Sequence, residues 1–272
     1  MKHIEDSFKG INDLTIRYQM WYPEEPPKAV VQFVCGYASH PGRLSNVVNE
    51  LVPRGYVVCS SENQGAENIA YIEKYEHYIE NQKVFFDLIR GKEPNLPHFM
   101  IGHSMGSAIA RLFCAKYPEG IKGLVLSGSG MKEAGKSAII KGLAKFLNLF
   151  IPKKAPLTVD VSKDISRDPE VVKAYQDDPL VFKKPTVRLG VELIKVFKKA
   201  NKLVNQIKIP TLFQSGGADK LMLGVEELAS LFTNAETTVK IYDGLYHEVY
   251  NELEEDRKIV LKDLGDWLDS HL

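Results

Sequence analysis

His98-Phe99-Met100-Ile101-Gly102-His103-Ser104-Met105-Gly106 is the stretch on which the reading of this chain turns. A short apolar run leads into a G-x-S-x-G pentapeptide, and a helical pattern follows from Met105 to Tyr117 until Pro118 ends it. Two glycines around a serine let the backbone turn sharply from strand to helix. The hydroxyl then projects above the sheet, and the free N–H groups of the helix N-terminus point at the same spot. The pentapeptide alone arises often by chance. Its placement between a strand and a helix singles out Ser104 as a nucleophile.

Outward from that turn the chain alternates. Two polar-interrupted strands open it, the clearer from Leu14 to Trp21, and Ala29 to Val34 reads as a buried strand. A helix from about Leu44 to Val52 precedes the strand Tyr56 to Cys59, and one from about Tyr71 to Ile89 precedes His98 to Ile101. Gly123 to Leu126 is the next strand. Strand after helix after strand predicts an α/β fold with a mostly parallel sheet. From Met131 to Val204 the alternation stops and Lys-rich helical sequence takes its place. It resumes with the strand Thr211 to Gln214, a helix near Val225 to Leu231, the strand Thr238 to Tyr242 and a last helix from about Glu254. Residues 1–272 therefore read as one domain, with 131–204 a helical cap inserted in it.

Lys+Arg and Asp+Glu both total 35, so no global field draws the protein to nucleic acid. Cys35, Cys59 and Cys114 are odd in number and show no C-x-x-C spacing. That argues against a disulfide framework or a structural zinc site and fits a reducing compartment. Met1-Lys2-His3-Ile4-Glu5-Asp6 is no apolar leader, and no stretch approaches the roughly eighteen apolar residues of a membrane span. The expected location is the cytoplasm. There is no H-E-x-x-H, P-loop or dinucleotide fingerprint, so no metal or organic cofactor is expected.

A nucleophilic serine needs a base, and after a nucleophile of this kind the order along the chain is acid, then histidine. Beyond Ser104 there are only His247 and the penultimate His271. His247 follows the strand Thr238 to Tyr242, at the end where parallel sheets place their ligands. Asp219 stands in the loop Gly216-Gly217-Ala218-Asp219-Lys220 after a neighbouring strand, whereas Asp243 and Glu248 are too near His247 in sequence to reach its Nδ1 comfortably. Ser104, Asp219 and His247 are the expected triad. His40 and His103 are read as packing or hydrogen-bonding residues. Cys35, with no basic partner in view, is expected to titrate as an ordinary thiol.

At these residues the chain resembles the monoglyceride lipase and lysophospholipase branch of the α/β-hydrolases. Gly102 to Gly106 is similar to that family's G-H-S-M-G, Gly217-Ala218-Asp219 to its acid loop, and Tyr242 to His247 to its histidine loop. Cys35 to Leu44 matches the pattern H-G-x-G-E-H-S-G-R-Y at Gly36, His40, Gly42 and Arg43. By that match the backbone N–H groups of Tyr37 and Met105 form the oxyanion hole. The resemblance also implies substrate-binding positions at Arg43, Ser39 and Tyr250, where the family's arginine, glutamate and second histidine help to hold a glycerol head group. Only the arginine is retained, which weakens a preference for monoglycerides. The family's D-x-x-G-H-G turn is replaced by Ser60-Ser61-Glu62-Asn63-Gln64-Gly65.

The implied function is a serine hydrolase of carboxylic esters such as monoacylglycerols or lysophospholipids. A peptidase or amidase on the same scaffold is the alternative, since fold and triad do not choose the leaving group. It would need a carboxylate such as Glu62, Glu67 or Asp177 near the pocket mouth. A non-catalytic ligand-binding homologue is the rival from another class. Between Met131 and Val204 there are sixteen Lys and Arg against eight Asp and Glu. Ile139, Ile140, Leu143, Phe146, Leu147 and Phe150 recur at helical spacing with Lys141 and Lys145 among them, and Val191, Ile194, Phe197 and Val204 suggest a second such helix. An oily face that packs on the body is the plainer expectation. Transient contact with a membrane surface through the basic cap is the other.

Overall fold

The computed structural model describes residues 1–64, 70–133 and 138–272, the side chains of 138–141 excepted. Glu67, Gly65 and the side chains of Ile139, Ile140 and Lys141 thus lie outside the described residues. The principal sheet holds eight strands: β1 (Lys2–Lys9), β2 (Thr15–Tyr22), β3 (Ala29–Val34), β4 (Tyr56–Ser61), β5 (His98–His103), β6 (Ile121–Ser127), β8 (Thr211–Gly216) and β10 (Thr237–Tyr242). Their spatial order is β1-β2-β4-β3-β5-β6-β8-β10. β1 and β2 pair antiparallel with each other and β2 antiparallel with β4; all other pairings are parallel.

Every residue of β3, β4 and β5 is buried, as expected of interior strands covered on both faces. The pleat sends Phe99 and Ile101 to one helical layer and Met100 to the other. The first layer holds α1 (Ser45–Leu51) and α9 (Glu254–Ser270); the second holds α2 (Glu76–Lys92), α3 (Met105–Lys116) and α8 (Val225–Ala229). α2 begins at Glu76, not at Tyr71 as its apolar pattern suggests. The N–H of Tyr75 donates to Glu192 Oε2, 117 residues away, and this long-range bond holds the preceding backbone in an irregular path.

Between β6 and β8 the inserted segment carries α4 (Ala138–Phe150), α5 (Ser162–Ile165), α6 (Pro169–Asp177) and α7 (Val187–Leu203). A two-stranded ribbon of β7 (Lys132–Glu133) and β9 (Met222–Leu223) ties its start to the acid loop. α7 is capped by Thr186, whose Oγ1 accepts from the N–H of Leu189 at 3.3 Å, and it packs Leu193, Val196 and Ala200 into the core around α3. Of the apolar face read from the sequence, Val191 and Val204 are buried, whereas Ile194 and Phe197 are half-buried. α4 differs: Leu143, Phe146, Leu149 and Phe150 are 56 to 74% exposed.

Candidate active site

Ser104 occupies the elbow between β5 and α3 with φ 54° and ψ −119°, a conformation a side-chain-bearing residue rarely adopts. The two motif glycines are demanded by space. A Cβ on Gly102 would lie 2.5 Å from the Gly106 carbonyl oxygen, and one on Gly106 would lie 2.1 Å from that of Val34. The strained backbone is held from several sides. The Ser104 N–H donates to Ser127 O at 2.9 Å, while the N–H and hydroxyl of Ser107 donate to Ser104 O at 2.9 and 2.6 Å. Met105 is the first residue of α3, so its N–H belongs to the group with no acceptor inside the helix.

The acid and histidine loops are laced together. Gly217 N–H donates to Tyr242 O and Ala218 N–H to Leu245 O. Asp219 Oδ1 accepts from the N–H groups of Leu221 and Met222 at 2.7 and 3.1 Å, and Oδ2 lies 2.8 Å from His247 Nδ1. Both side chains are buried. With Nδ1 donating to the carboxylate, Nε2 is the basic nitrogen. Ser104 and His247 line one cavity of about 420 Å³, together with Gly36, Tyr37, Ser39, His103 and Met105. Its remaining wall is largely apolar and comes from the inserted segment, including Leu143, Leu147, Val161, Leu193, Ile194 and Phe197.

The supporting side chains fall into place around this centre. His103 packs on His247 with ring centroids 4.8 Å apart, and burial followed by the neighbouring His247 holds it well below the usual histidine range. His40 Nε2 meets Asp178 Oδ2 at 2.7 Å, joining the Tyr37 loop to the inserted segment. Cys35 does not titrate as an ordinary thiol: complete burial pushes it up to about 12. Its carbonyl accepts from Asn63 Nδ2 at 2.8 Å, so the departed turn after β4 braces the Tyr37 loop.

The three positions that the resemblance marks for substrate divide. Ser39 lines the large cavity; Arg43 and Tyr250 instead line a cleft of about 20 Å³ behind it, which Ser39, His103 and Glu248 also border. The Tyr250 hydroxyl donates to Gln214 Oε1 at 2.7 Å. Arg43 is held bidentately by Glu248, a residue whose proximity to His247 suggests only a rival acid. No local signal announces that pairing, because 205 residues separate the partners. Glu62 pairs with Arg17 and exposed Asp177 with Lys173, and neither lines the cavity; its carboxylates among the described residues are Glu133 and Glu248.

The family described as serine aminopeptidase, S33, matches residues 25–254. A monoacylglycerol lipase of Mycolicibacterium smegmatis is 31% identical over 98% of this chain and 98% of its own length. A monoglyceride lipase of Homo sapiens is 29% identical over 91% of this chain and 84% of its own. The fold is that of a carboxyl esterase from Bacillus coagulans, solved with glycerol, which superposes with a TM-score of 0.86 at 22% identity over 100% of this chain and 99% of that one. The elbow, the laced loops and these likenesses agree: the chain belongs to the α/β-hydrolases of the serine aminopeptidase S33 family, in the branch of the monoglyceride lipases.

Proposed function

We propose that this carboxylic ester hydrolase cleaves single-chain acyl esters, monoacylglycerols or lysophospholipids, through an acyl-enzyme on Ser104. The observation that carries the proposal is one apolar cavity of about 420 Å³ that contains both Ser104 and a histidine anchored on a buried aspartate. That volume falls within the range of small-molecule sites. In the proposed reaction His247 Nε2 takes the Ser104 proton as Oγ attacks the ester carbonyl, and Asp219 holds the imidazole in that tautomer. The N–H groups of Tyr37 and Met105 receive the developing oxyanion. His247 then protonates the leaving alcohol, and water enters by the same route to release the fatty acid.

Residues 131–204 act in this reading as a cap on the one domain of 1–272, because their apolar side chains wall the cavity. The exposed Phe146, Leu149 and Phe150 of α4, with Lys145, Lys153 and Lys154 nearby in sequence, suit transient contact with a lipid surface from which substrate is drawn. Among the described residues no helix is long and apolar enough to cross a membrane. The three free, buried cysteines fit the reducing cytoplasm as its place of work. Hydrolysis of p-nitrophenyl esters of increasing chain length, by wild type and Ser104→Ala, tests the reading. An optimum at medium or long chains, lost in the variant, supports it; activity confined to short chains overturns the acyl-pocket assignment, and two equally inert proteins overturn the triad.

A further inference from the structure

We infer that Arg43 and Glu248 are positioning residues for the hydrolysis: their buried ion pair fastens the loop of His247 to the loop of Tyr37 and adds no net charge of its own beside the imidazole. The inference rests on the triad reading above. Arg43 ends the turn Pro41–Arg43, six residues after Tyr37, and Glu248 directly follows His247. Nη1 to Oε1 is 3.1 Å and Nη2 to Oε2 is 2.8 Å, the parallel fork that fixes both groups in one plane. The two side chains are only 12 and 9% exposed.

Further contacts remove the remaining freedom. The guanidinium lies over the Tyr175 ring of α6, 4.5 Å from its centroid. Asn251 Nδ2 donates to Glu248 Oε2 at 2.9 Å, and the Glu248 N–H donates to Ile165 O at 2.7 Å. Three chain segments thus converge on one ion pair: the Tyr37 loop, the His247 loop and the inserted helices. A buried pair is close to neutral for stability when set against apolar replacement of both partners, so its value here lies in geometry and local charge.

The charge balance around His247 is otherwise fixed. Asp219 holds Nδ1, and the neutral His103 ring packs against His247 at a tilt of 54°. The N–H of Tyr246, just before it, donates to Glu252 Oε1, and Glu252 is in turn paired with Arg167 from the inserted segment. Lys220 reaches the Tyr246 hydroxyl at 3.4 Å, and Glu133 lines the same cavity. The Arg43 charge already bears on the His103 ring beside His247. Removing Arg43 therefore leaves an unpaired carboxylate next to the base, which favours its protonated, inactive form. Removing Glu248 leaves an unpaired cation, which disfavours it.

The test is the pH dependence of kcat/KM on a p-nitrophenyl ester for wild type, Arg43→Gln, Glu248→Gln and the double variant, with Ser104→Ala as the blank. The acid limb is expected to move up in Arg43→Gln and down in Glu248→Gln, each by on the order of one pH unit, and to return in the double variant. kcat should fall roughly tenfold or more in all three with KM changed little, as expected when reacting groups lose alignment. A part that is merely structural lowers activity without moving the limb in opposite directions. Where a single variant does not fold, the double variant decides: kcat within about twofold of wild type overturns the inference. An active wild type with unmoved limbs overturns it too, while a wild type no more active than Ser104→Ala overturns the triad reading instead.

Discussion

Adding one methyl group at Gly106 should both loosen the fold and disable the centre, and the size of each effect follows from the packing. A Cβ there meets Val34 O at 2.1 Å and Cys35 O at 2.7 Å, both backbone atoms at the end of β3 that no side-chain rotation relieves. To restore contact distance, α3 must retreat from β3 by roughly 1 Å, an overpacking that costs about 3 kcal/mol. Alanine's better helix propensity offsets up to about 1 kcal/mol of this, leaving about 2 kcal/mol of lost stability for Gly106→Ala. The same retreat carries Ser104 and the Met105 N–H away from Tyr37, and a displacement of that size at reacting groups lowers turnover by about a hundredfold. Urea unfolding followed by tryptophan fluorescence reads the first effect, and turnover of a short p-nitrophenyl ester reads the second. Gly142→Ala is the control: nothing lies within 4 Å of its added Cβ in α4, so it should gain up to about 1 kcal/mol. A Gly106→Ala protein within about 0.5 kcal/mol and threefold of wild type would refute the claim that this glycine is required for close approach.

Three further outcomes follow from the site and the core. Asp219→Asn should lower kcat on esters by about 10³ to 10⁴, because the amide no longer enforces the Nδ1–H tautomer of His247, while fluorophosphonate labelling of Ser104 slows in parallel. Leu147→Trp should shorten the preferred acyl chain by narrowing the cavity, and kcat/KM should then drop about fourfold for each methylene excluded while acetate esters are untouched. His98 is held at about 3 by burial, so the folded protein keeps it neutral while the unfolded chain protonates it below the ordinary histidine value of 6.5. Its contribution is complete above that value and is lost as pH falls towards 3. Between pH 7 and 4.5 the unfolding free energy from urea titrations should therefore fall by about 2 to 3 kcal/mol less in His98→Phe than in wild type, and equal acid sensitivity would count against the burial argument.

Which elements were legible in the chain depended on how local their cause is. β3 appears at Ala29–Val34 as the apolar run predicts, because an interior parallel strand is buried on both faces and writes its burial into consecutive residues. The elbow was legible for the same reason: the glycines that permit it are neighbours of the serine it presents. The ribbon of β7 and β9 was not, since two residues pairing with two others some ninety positions away leave no period to read. Nor was the start of α2, set by a bond from Tyr75 to Glu192.

The oily helices mark the boundary most clearly. Periodicity in α4 and α7 reveals an apolar face on each, but a face's composition does not say what covers it. α7 packs Val196 and Ala200 into the core around α3 and gives Ile194 and Phe197 to the cavity wall, whereas α4 turns Phe146, Leu149 and Phe150 outward. Arg43 shows the same limit at a single residue, aligned by its motif with a head-group position and engaged in the structure by Glu248. By itself the sequence determined the alternation of strands and helices, the glycine-flanked elbow at Ser104 and the order in which the candidate serine, aspartate and histidine follow one another, all of which are written in local stretches of the chain. Only the tertiary structure decided which carboxylate meets which cation, which oily face stays open and how much room lies beside Ser104, because those are properties of surfaces that the fold brings together from distant segments.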